Sequence, residues 1–151
     1  MVPTCYWVRY GNGGLYAFRD PDEAIGSLDP RTGVFTPVLS KLIALGGWDI
    51  GGGAIWTTTQ ETDVQTGFPH GAITRFALIK GQITAKSVVG RGAGWLDVDP
   101  ASGVWVLDQA ALMLTHLDAQ SGQVLKRIAL HHIPCCVSAG HGRIWVSLKS
   151  P

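Results

Sequence analysis

The side chains best suited to acid–base or ligand chemistry fall in three polar stretches of the chain, residues 59–71, 90–94 and 131–135. Histidine titrates near neutral pH, and with carboxylates it can transfer protons or bind anionic and metal-linked ligands. Loops held on a rigid scaffold often carry function, which favours the longest stretch. The candidates are Glu61, Asp63, His70, Arg91, His131 and His132. The alternative is that they are ordinary solvated loop residues.

Two cysteines, Cys135 and Cys136, follow the histidine pair in the string His-His-Ile-Pro-Cys-Cys. Thiolates and imidazoles suit zinc or copper. Adjacent residues of a strand, however, point to opposite faces, so neighbours rarely share one ion. We expect two buried structural thiols, because unpaired cysteine behaves as a small hydrophobe. A metal site and a disulfide between the adjacent cysteines are the two alternatives.

The elements that must position these residues are short. The chain has 151 residues, with 20 glycines and eight prolines but only two glutamates, Glu23 and Glu61. So many helix breakers argue against a helical domain. The length suits one domain with its own core. Three cysteines, without the spacing of a zinc knuckle, do not indicate a disulfide-stapled scaffold.

The charge balance excludes several classes of partner. The net charge is +1, and 15% of residues are charged against 46% hydrophobic. This lacks the basic footprint of a nucleic-acid-binding protein. No apolar run approaches the roughly 20 residues that span a bilayer. The first residues show no basic segment followed by an apolar stretch, so we predict no signal peptide in this chain.

An internal repeat organises the sequence. A glycine-bounded apolar segment recurs around Tyr16, Trp56, Trp105 and Trp145, at spacings of 40, 49 and 40 residues. A second segment ends in a turn glycine at Gly33, Gly81 and Gly122. One insertion between Trp56 and Gly81 explains nearly all the irregularity. The period is about 40 residues, which is typical of a small supersecondary unit.

Each unit contains four short strands rather than a helix pair. The runs are β-branched or aromatic and are bounded by glycine. In the third unit we predict strands at 95–98, 104–107, 112–117 and 123–130. Four antiparallel strands in about 40 residues describe one blade of a β-propeller. The predicted fold class is therefore all-β, built of propeller blades.

Two segments carry a resemblance to known propeller repeats. Residues 114–130 and 137–146 resemble the YVTN-type repeats of bacterial extracytoplasmic proteins, and also virginiamycin-B-lyase-like and pyrroloquinoline-quinone-type repeats. The resemblance implies an extracytoplasmic location. The lyase group implies histidines and an acidic residue near a divalent ion. The quinone type carries a tryptophan shortly after the turn glycine, whereas here Gly122 is followed by Gln-Val-Leu-Lys-Arg.

We divide the chain into units at about 1–39, 46–89, 93–130 and 135–148, all within one partial propeller domain over 1–151. Three and a half blades form an incomplete ring, since closed propellers usually have four to eight. The remaining blades of a longer propeller, or a second chain, are therefore the expected partners.

Propeller geometry places the candidates. Ligands of such folds usually sit on the face made by the connections between strands two and three and between blades. That rule puts the six polar candidates on one rim. Trp48 and Trp95 fall on innermost strands, where they can stack on a ligand or fill the core. The tryptophans at 56, 105 and 145 are expected to pack between blades.

We expect a non-catalytic propeller module that binds a small molecule or a protein. The first alternative is a lyase that depends on a divalent metal. The second is a quinone-linked oxidoreductase. The sequence requires no cofactor, assigns no metal ligand, and is compatible with a bound divalent ion.

Overall fold

The structure, a computed structural model that describes residues 5–43 and 45–149, is almost entirely β. Its described residues form fourteen strands. They are β1 Cys5–Gly11, β2 Gly14–Arg19, β3 Ala24–Leu28, β4 Phe35–Leu39, β5 Leu45–Gly51, β6 Ala54–Thr62, β7 Pro69–Ala77, β8 Ile83–Val89, β9 Ala93–Asp99, β10 Gly103–Asp108, β11 Met113–Leu117, β12 Val124–Ala129, β13 Pro134–Gly140 and β14 Arg143–Leu148. A 3-10 turn, Asp20–Asp22, is the one helical element in this part of the chain.

The strands form four antiparallel sheets in chain order. Strands β1–β4, β5–β8 and β9–β12 each make a four-stranded meander, and β13 with β14 makes a hairpin. The sheets adjoin through their first strands, because β1 contacts β5, β5 contacts β9 and β9 contacts β13. This row of sheets does not close into a ring within the described residues. The predicted all-β fold of four-stranded units is confirmed. No described helix is long and apolar enough to cross a membrane.

Aspartates set the tight turns that end several strand pairs. Asp29, Asp63 and Asp118 each accept hydrogen bonds, at 2.7–3.3 Å, from the backbone N–H groups two and three residues further on. A glycine with φ near +70° closes each turn, a conformation that other residues rarely adopt. The turn that ends at Gly81 keeps the same backbone hydrogen bonds with alanine in place of aspartate.

The repeated aromatics hold equivalent positions in their sheets. Tyr16, Trp56, Trp105 and Trp145 each lie opposite one residue of the first strand of their own sheet, namely Arg9, Asp49, Asp97 and Ser138. Trp56 is 1% exposed and lies against Gly122 of the third sheet. Trp145 is 51% exposed, since no further sheet follows in the described chain. Tyr16 and Trp56 therefore pack between consecutive sheets, whereas Trp105 stacks on His116 of its own sheet with 4.0 Å between ring centroids.

Two apolar clusters form the core, each between neighbouring sheets. Between the first and second sheets, Ile25 and Leu39 pack with Trp48, Ile50 and Ile55. Between the second and third sheets, the larger cluster gathers Trp56, Ile73 and a set of β9–β11 residues, Leu96, Val98, Val104, Val106 and Leu117. The core therefore lies between sheets and not at the centre of one.

The prediction that 59–71 is a long loop is wrong. Strand β6 runs on to Thr62 and β7 starts at Pro69, so the insertion lengthens a hairpin and leaves only a short turn. Gln60 ties the hairpin to the next sheet, because its Nε2 donates to the Ala93 carbonyl at 2.9 Å. The inserted residues therefore continue the pairing of β6 with β7 and do not form a long loop.

The packing role of the repeated tryptophan gives a matched pair of variants. Trp56→Ala should lower the free energy of unfolding by about 3–5 kcal/mol, because it leaves a large buried cavity. Trp145→Ala, at the same repeat position but half exposed, should cost less than about 1 kcal/mol. Urea unfolding followed by circular dichroism measures both, and equal losses for the two variants would contradict this packing account.

Candidate functional site

The innermost strands β1, β5, β9 and β13 place four polar side chains at one repeat position. Arg9, Asp49, Asp97 and Ser138 each lie opposite the aromatic residue of the neighbouring strand. Because successive innermost strands adjoin, the side chains of Arg9, Asp49 and Asp97 reach from one sheet to the next. The four form a polar line along the inner edge of the sheets.

Two of these residues bridge consecutive sheets with the same hydrogen bond. Asp49 Oδ2 accepts from the backbone N–H of Val98 at 2.8 Å, and Asp97 Oδ2 accepts from that of Ala139 at 2.5 Å. In both cases the donor follows the equivalent residue of the next innermost strand. Each of these hydrogen bonds ties a side chain of one sheet to the backbone of the next. The bridge therefore fixes how each sheet meets the next.

The electrostatics centre on Asp49, which is 5% exposed. Burial, and a hydrogen bond with the side chain of Asp97, raise the pKa of Asp49 to about 7, although the N–H groups of Val98 and Ile50 oppose the shift. The Arg9 Nε atom, 3.5 Å from Asp49 Oδ1, favours the ionised form but is a third exposed. The effect of burial on the pKa of Asp49 is larger than that of Arg9. Near neutral pH the Asp49 carboxyl group is therefore partly protonated.

A cavity of about 340 Å³ opens beside this polar line. We call it the channel cavity. Its lining is Arg9, Trp95, Leu96, Asp97, Cys136, Val137 and Ser138. A cation, a carboxylate and an indole face converge there, and Trp7 supports the indole of Trp95 with 5.8 Å between ring centroids. Such a set can orient a small polar ligand.

The rim residues are brought together only in part. Glu61 and His70 are cross-strand partners, with 3.7 Å between Glu61 Oε2 and His70 Nε2. Lys86 donates to Glu61 at 2.8 Å, and this hydrogen bond holds the pKa of Glu61 below its ordinary value. The three make a polar cluster on a partly exposed sheet surface. Such clusters contribute little to stability.

The other sequence candidates lie apart from that cluster. Arg91, His131 and His132 are exposed on connections between sheets. Asp63 forms a turn, where the N–H groups of Thr66 and Gln65 lower its pKa. Among the described residues, no three His, Cys, Asp or Glu side chains are placed to hold a metal ion. The divalent site that the lyase resemblance implies is therefore not formed by these residues.

The two candidate tryptophans have different environments. Trp48 is 1% exposed in the core between the first two sheets, which supports the packing interpretation, whereas Trp95 lines the channel cavity.

The prediction of two buried structural thiols is wrong. Cys136 is exposed and Cys135 is half-buried, and both are free. Their Sγ atoms lie 3.3 Å apart and so do not point to opposite faces.

Arg9, Asp49 and Asp97 were missed from the sequence, although one signal could have found them. Aligning the units on the aromatics places an aspartate seven residues before Trp56 and another eight residues before Trp105. An aspartate inside an apolar strand is a buried polar group that needs a partner. Nothing in a single sequence shows that the two aspartates are each other's partner.

Comparisons with known proteins support the fold. No protein-family model matches the chain, and no curated protein matches its sequence. Among solved structures, a glutaminyl cyclase from Myxococcus xanthus shares 12% identity at a TM-score of 0.60, over 97% of this chain and 62% of that one. A protein of unknown function from Bacteroides caccae shares 12% identity at a TM-score of 0.59, over 97% and 53%.

These likenesses concern architecture alone. At 12% identity they show an all-β, propeller-like arrangement of four-stranded sheets. They do not select among the repeat types that the sequence resembles. The chain spans about half to three fifths of the length of the two solved structures.

The raised pKa of Asp49 makes a prediction about how stability depends on pH. The pKa of Asp49 is raised on folding, so its contribution to stability is full at low pH and is lost as pH rises from about 4 to 7. Asp49→Asn mimics the protonated form and should remove this loss. The variant should gain up to about 4 kcal/mol over the natural chain at pH 8, and almost nothing at pH 4.

Urea unfolding at both pH values measures the difference. Asp29→Asn is the matched control, because Asp29 is an exposed turn residue whose pKa is lowered by backbone N–H groups. A gain for Asp49→Asn that is the same at pH 4 and pH 8 would show that the carboxyl group does not titrate in this range.

Proposed function

We propose that this chain is a propeller-type binding module that holds a small polar ligand in the channel cavity. The observation that carries the proposal is the convergence of Arg9, Asp97 and Trp95 on one cavity. The guanidinium suits a carboxylate or other anion, and the Asp97 carboxylate suits an ammonium or N–H group. The indole supplies an apolar face. A zwitterion such as a free amino acid or a short peptide carries the carboxylate and the ammonium group that Arg9 and Asp97 would bind.

The size of the cavity limits the ligand. About 340 Å³ lies near the lower end of the range for small-molecule sites. Asp97 already accepts the N–H groups of Val98 and Ala139, so its carboxylate is held in place before a ligand arrives. Preorganised groups lose little freedom on binding, which favours affinity.

A panel of free amino acids and dipeptides tests the proposal by isothermal titration calorimetry. For a compound that binds, Arg9→Met should weaken affinity by about 10- to 100-fold, because a charge-assisted hydrogen bond is lost while the aliphatic stem remains. Trp95→Leu should also weaken it. Glu61→Gln, on the rim, should leave affinity unchanged.

The rim control decides between the two locations. If Glu61→Gln abolishes binding and Arg9→Met does not, the ligand sits on the rim cluster and the channel proposal is wrong. Circular dichroism of each variant separates loss of binding from loss of fold.

A second candidate is an acid–base enzyme that uses the same cavity. It is favoured by Asp49, because a carboxyl group with a pKa of about 7 is suited to proton transfer at neutral pH and its hydrogen-bond partner Asp97 lines the cavity. One structural neighbour, a glutaminyl cyclase, is an enzyme by name. The same panel separates the two functions, since conversion of a bound compound that is lost in Asp97→Asn would indicate catalysis. A compound recovered unchanged indicates binding.

We also propose that further propeller blades cover the two outer sheet faces. The first sheet exposes Val8 and Tyr10, and the β13–β14 hairpin exposes Trp145. Trp56 holds the same repeat position as Trp145 but is buried, because the third sheet packs against it. The longer chains of both structural neighbours have room for such blades. Exposed apolar faces of this kind mark interfaces.

This proposal predicts that the 151-residue chain self-associates through those faces. Light scattering should give a mass that rises with concentration, and Trp145→Ser should reduce the rise. Val64→Ser is the control, because Val64 is fully exposed on the β6–β7 turn, away from both faces. A monodisperse monomer at all concentrations would contradict it.

A further inference from the structure

Every innermost strand carries one extra residue near its start. The pairing register shifts between Cys5 and Trp7 in β1, between Leu45 and Gly47 in β5, near the start of β9, and between Pro134 and Cys136 in β13. Such β-bulges place two residues opposite one and interrupt the alternation of side chains. The bulge belongs to the repeat. In β13 it falls on the two adjacent cysteines.

The bulge explains why the two thiols meet. In a regular strand, neighbouring side chains point to opposite faces. Here Cys135 Sγ and Cys136 Sγ are 3.3 Å apart, and the Cys136 N–H donates to Ser147 Oγ at 3.2 Å. Cys136 is exposed and also lines the channel cavity beside Arg9 and Asp97. The pair is therefore accessible from solvent.

We propose that Cys135 and Cys136 form a dithiol site for a trivalent, thiophilic metalloid centre of the organoarsenic(III) class. Two sulfurs only 3.3 Å apart suit chelation from one side of a centre. They are too close to lie on opposite sides of one ion, which at metal–sulfur bonds of about 2.3 Å would need about 4.6 Å. This site does not depend on the ligand proposed above.

The number of ligands selects the class of centre. No third His, Cys, Asp or Glu side chain completes a metal site among the described residues, whereas structural zinc takes four ligands. A monosubstituted arsenic(III) centre needs only two thiols, because its organic group occupies the third position. Arsenite, without such a group, takes three thiols and should bind more weakly here.

Protonation of the Cys136 thiol supports the same class. The hydrogen bond with Cys135 raises the pKa of Cys136, so its thiol is protonated at neutral pH. A divalent metal must displace two protons to bind two thiolates. An arsenic(III) oxide condenses with neutral thiols instead. Two S–H bonds and the arsenic–oxygen bonds break, two arsenic–sulfur bonds form, and one water leaves, with no change of oxidation state.

Phenylarsine oxide is the probe. On the folded chain in the Cys5→Ser background, native mass spectrometry should show one phenylarsenic group bound per chain with the loss of both titratable thiols. Cys136→Ser in that background should weaken binding by about 100-fold or more, because chelation by two groups is worth roughly 10²–10⁴ over one. Arsenite and zinc chloride should each bind far more weakly than the probe.

A matched variant tests the bulge itself. The double substitution Cys135→Ser with Val137→Cys keeps two adjacent cysteines but moves them past the bulge, where their side chains alternate. It should lose chelation as fully as the single variant. Tight binding by this variant, or absence of the adduct on the Cys5→Ser chain, overturns the proposal.

Protection mapping covers variants that fail to fold. Phenylarsine oxide should shield Cys135 and Cys136 of the natural chain from iodoacetamide, as read from the modified peptides. Alkylation of both cysteines at the unprotected rate would also overturn the proposal.

Discussion

A carboxylate that accepts a hydrogen bond from the next innermost strand joins the second sheet to the third and the third to the fourth. Asp49 and Asp97 make this bond, to Val98 and Ala139. A propeller sheet buries both faces against its neighbours, so the relative position of sheets decides whether the core closes. Apolar contacts are not directional and do not set that position by themselves. The carboxylate bridge sets it, and the tryptophan of the adjoining strand then packs in register.

The same bridge explains the chemistry of the site. A buried carboxylate is costly unless it is paired or protonated. Asp49 meets this condition through a raised pKa, caused by its burial and its hydrogen bond with Asp97, while Arg9 supplies a partial counter-charge from the first sheet. Asp108 acts within one sheet instead: its Oδ1 accepts from the N–H groups of Gly92, Ala110 and Ala111 and so ties the connection before β9 to the turn after β10. Of these aspartates, Asp97 is the one that lines the channel cavity.

The sequence predicted the fold further than it predicted the site. Strand positions, the 40-residue period and the packing of Trp56 follow from local residue types, since turns and alternation are local properties. The prediction for 59–71 was wrong because spacing alone does not distinguish a loop from a longer hairpin. The Asp49–Asp97 contact joins residues far apart in the chain, and only the relative placement of two sheets creates it. Cys135 and Cys136 were misjudged because the bulge that aligns them is invisible in a pattern of alternating residues.

The repeat supplies a backbone, and departures from the repeat supply the chemistry. At one position of the innermost strand the second and third sheets carry aspartate, whereas the first carries Arg9 and the fourth Ser138. A third and fourth aspartate there would add like charges to a line in which the pKa of Asp49 is already raised, and their repulsion would weaken the bridges. Arginine at the first position offsets this repulsion and leaves a guanidinium facing the channel cavity. Serine at the fourth leaves the cavity wall uncharged beside Cys136. The residues that break the pattern are therefore the ones that give the cavity its polarity.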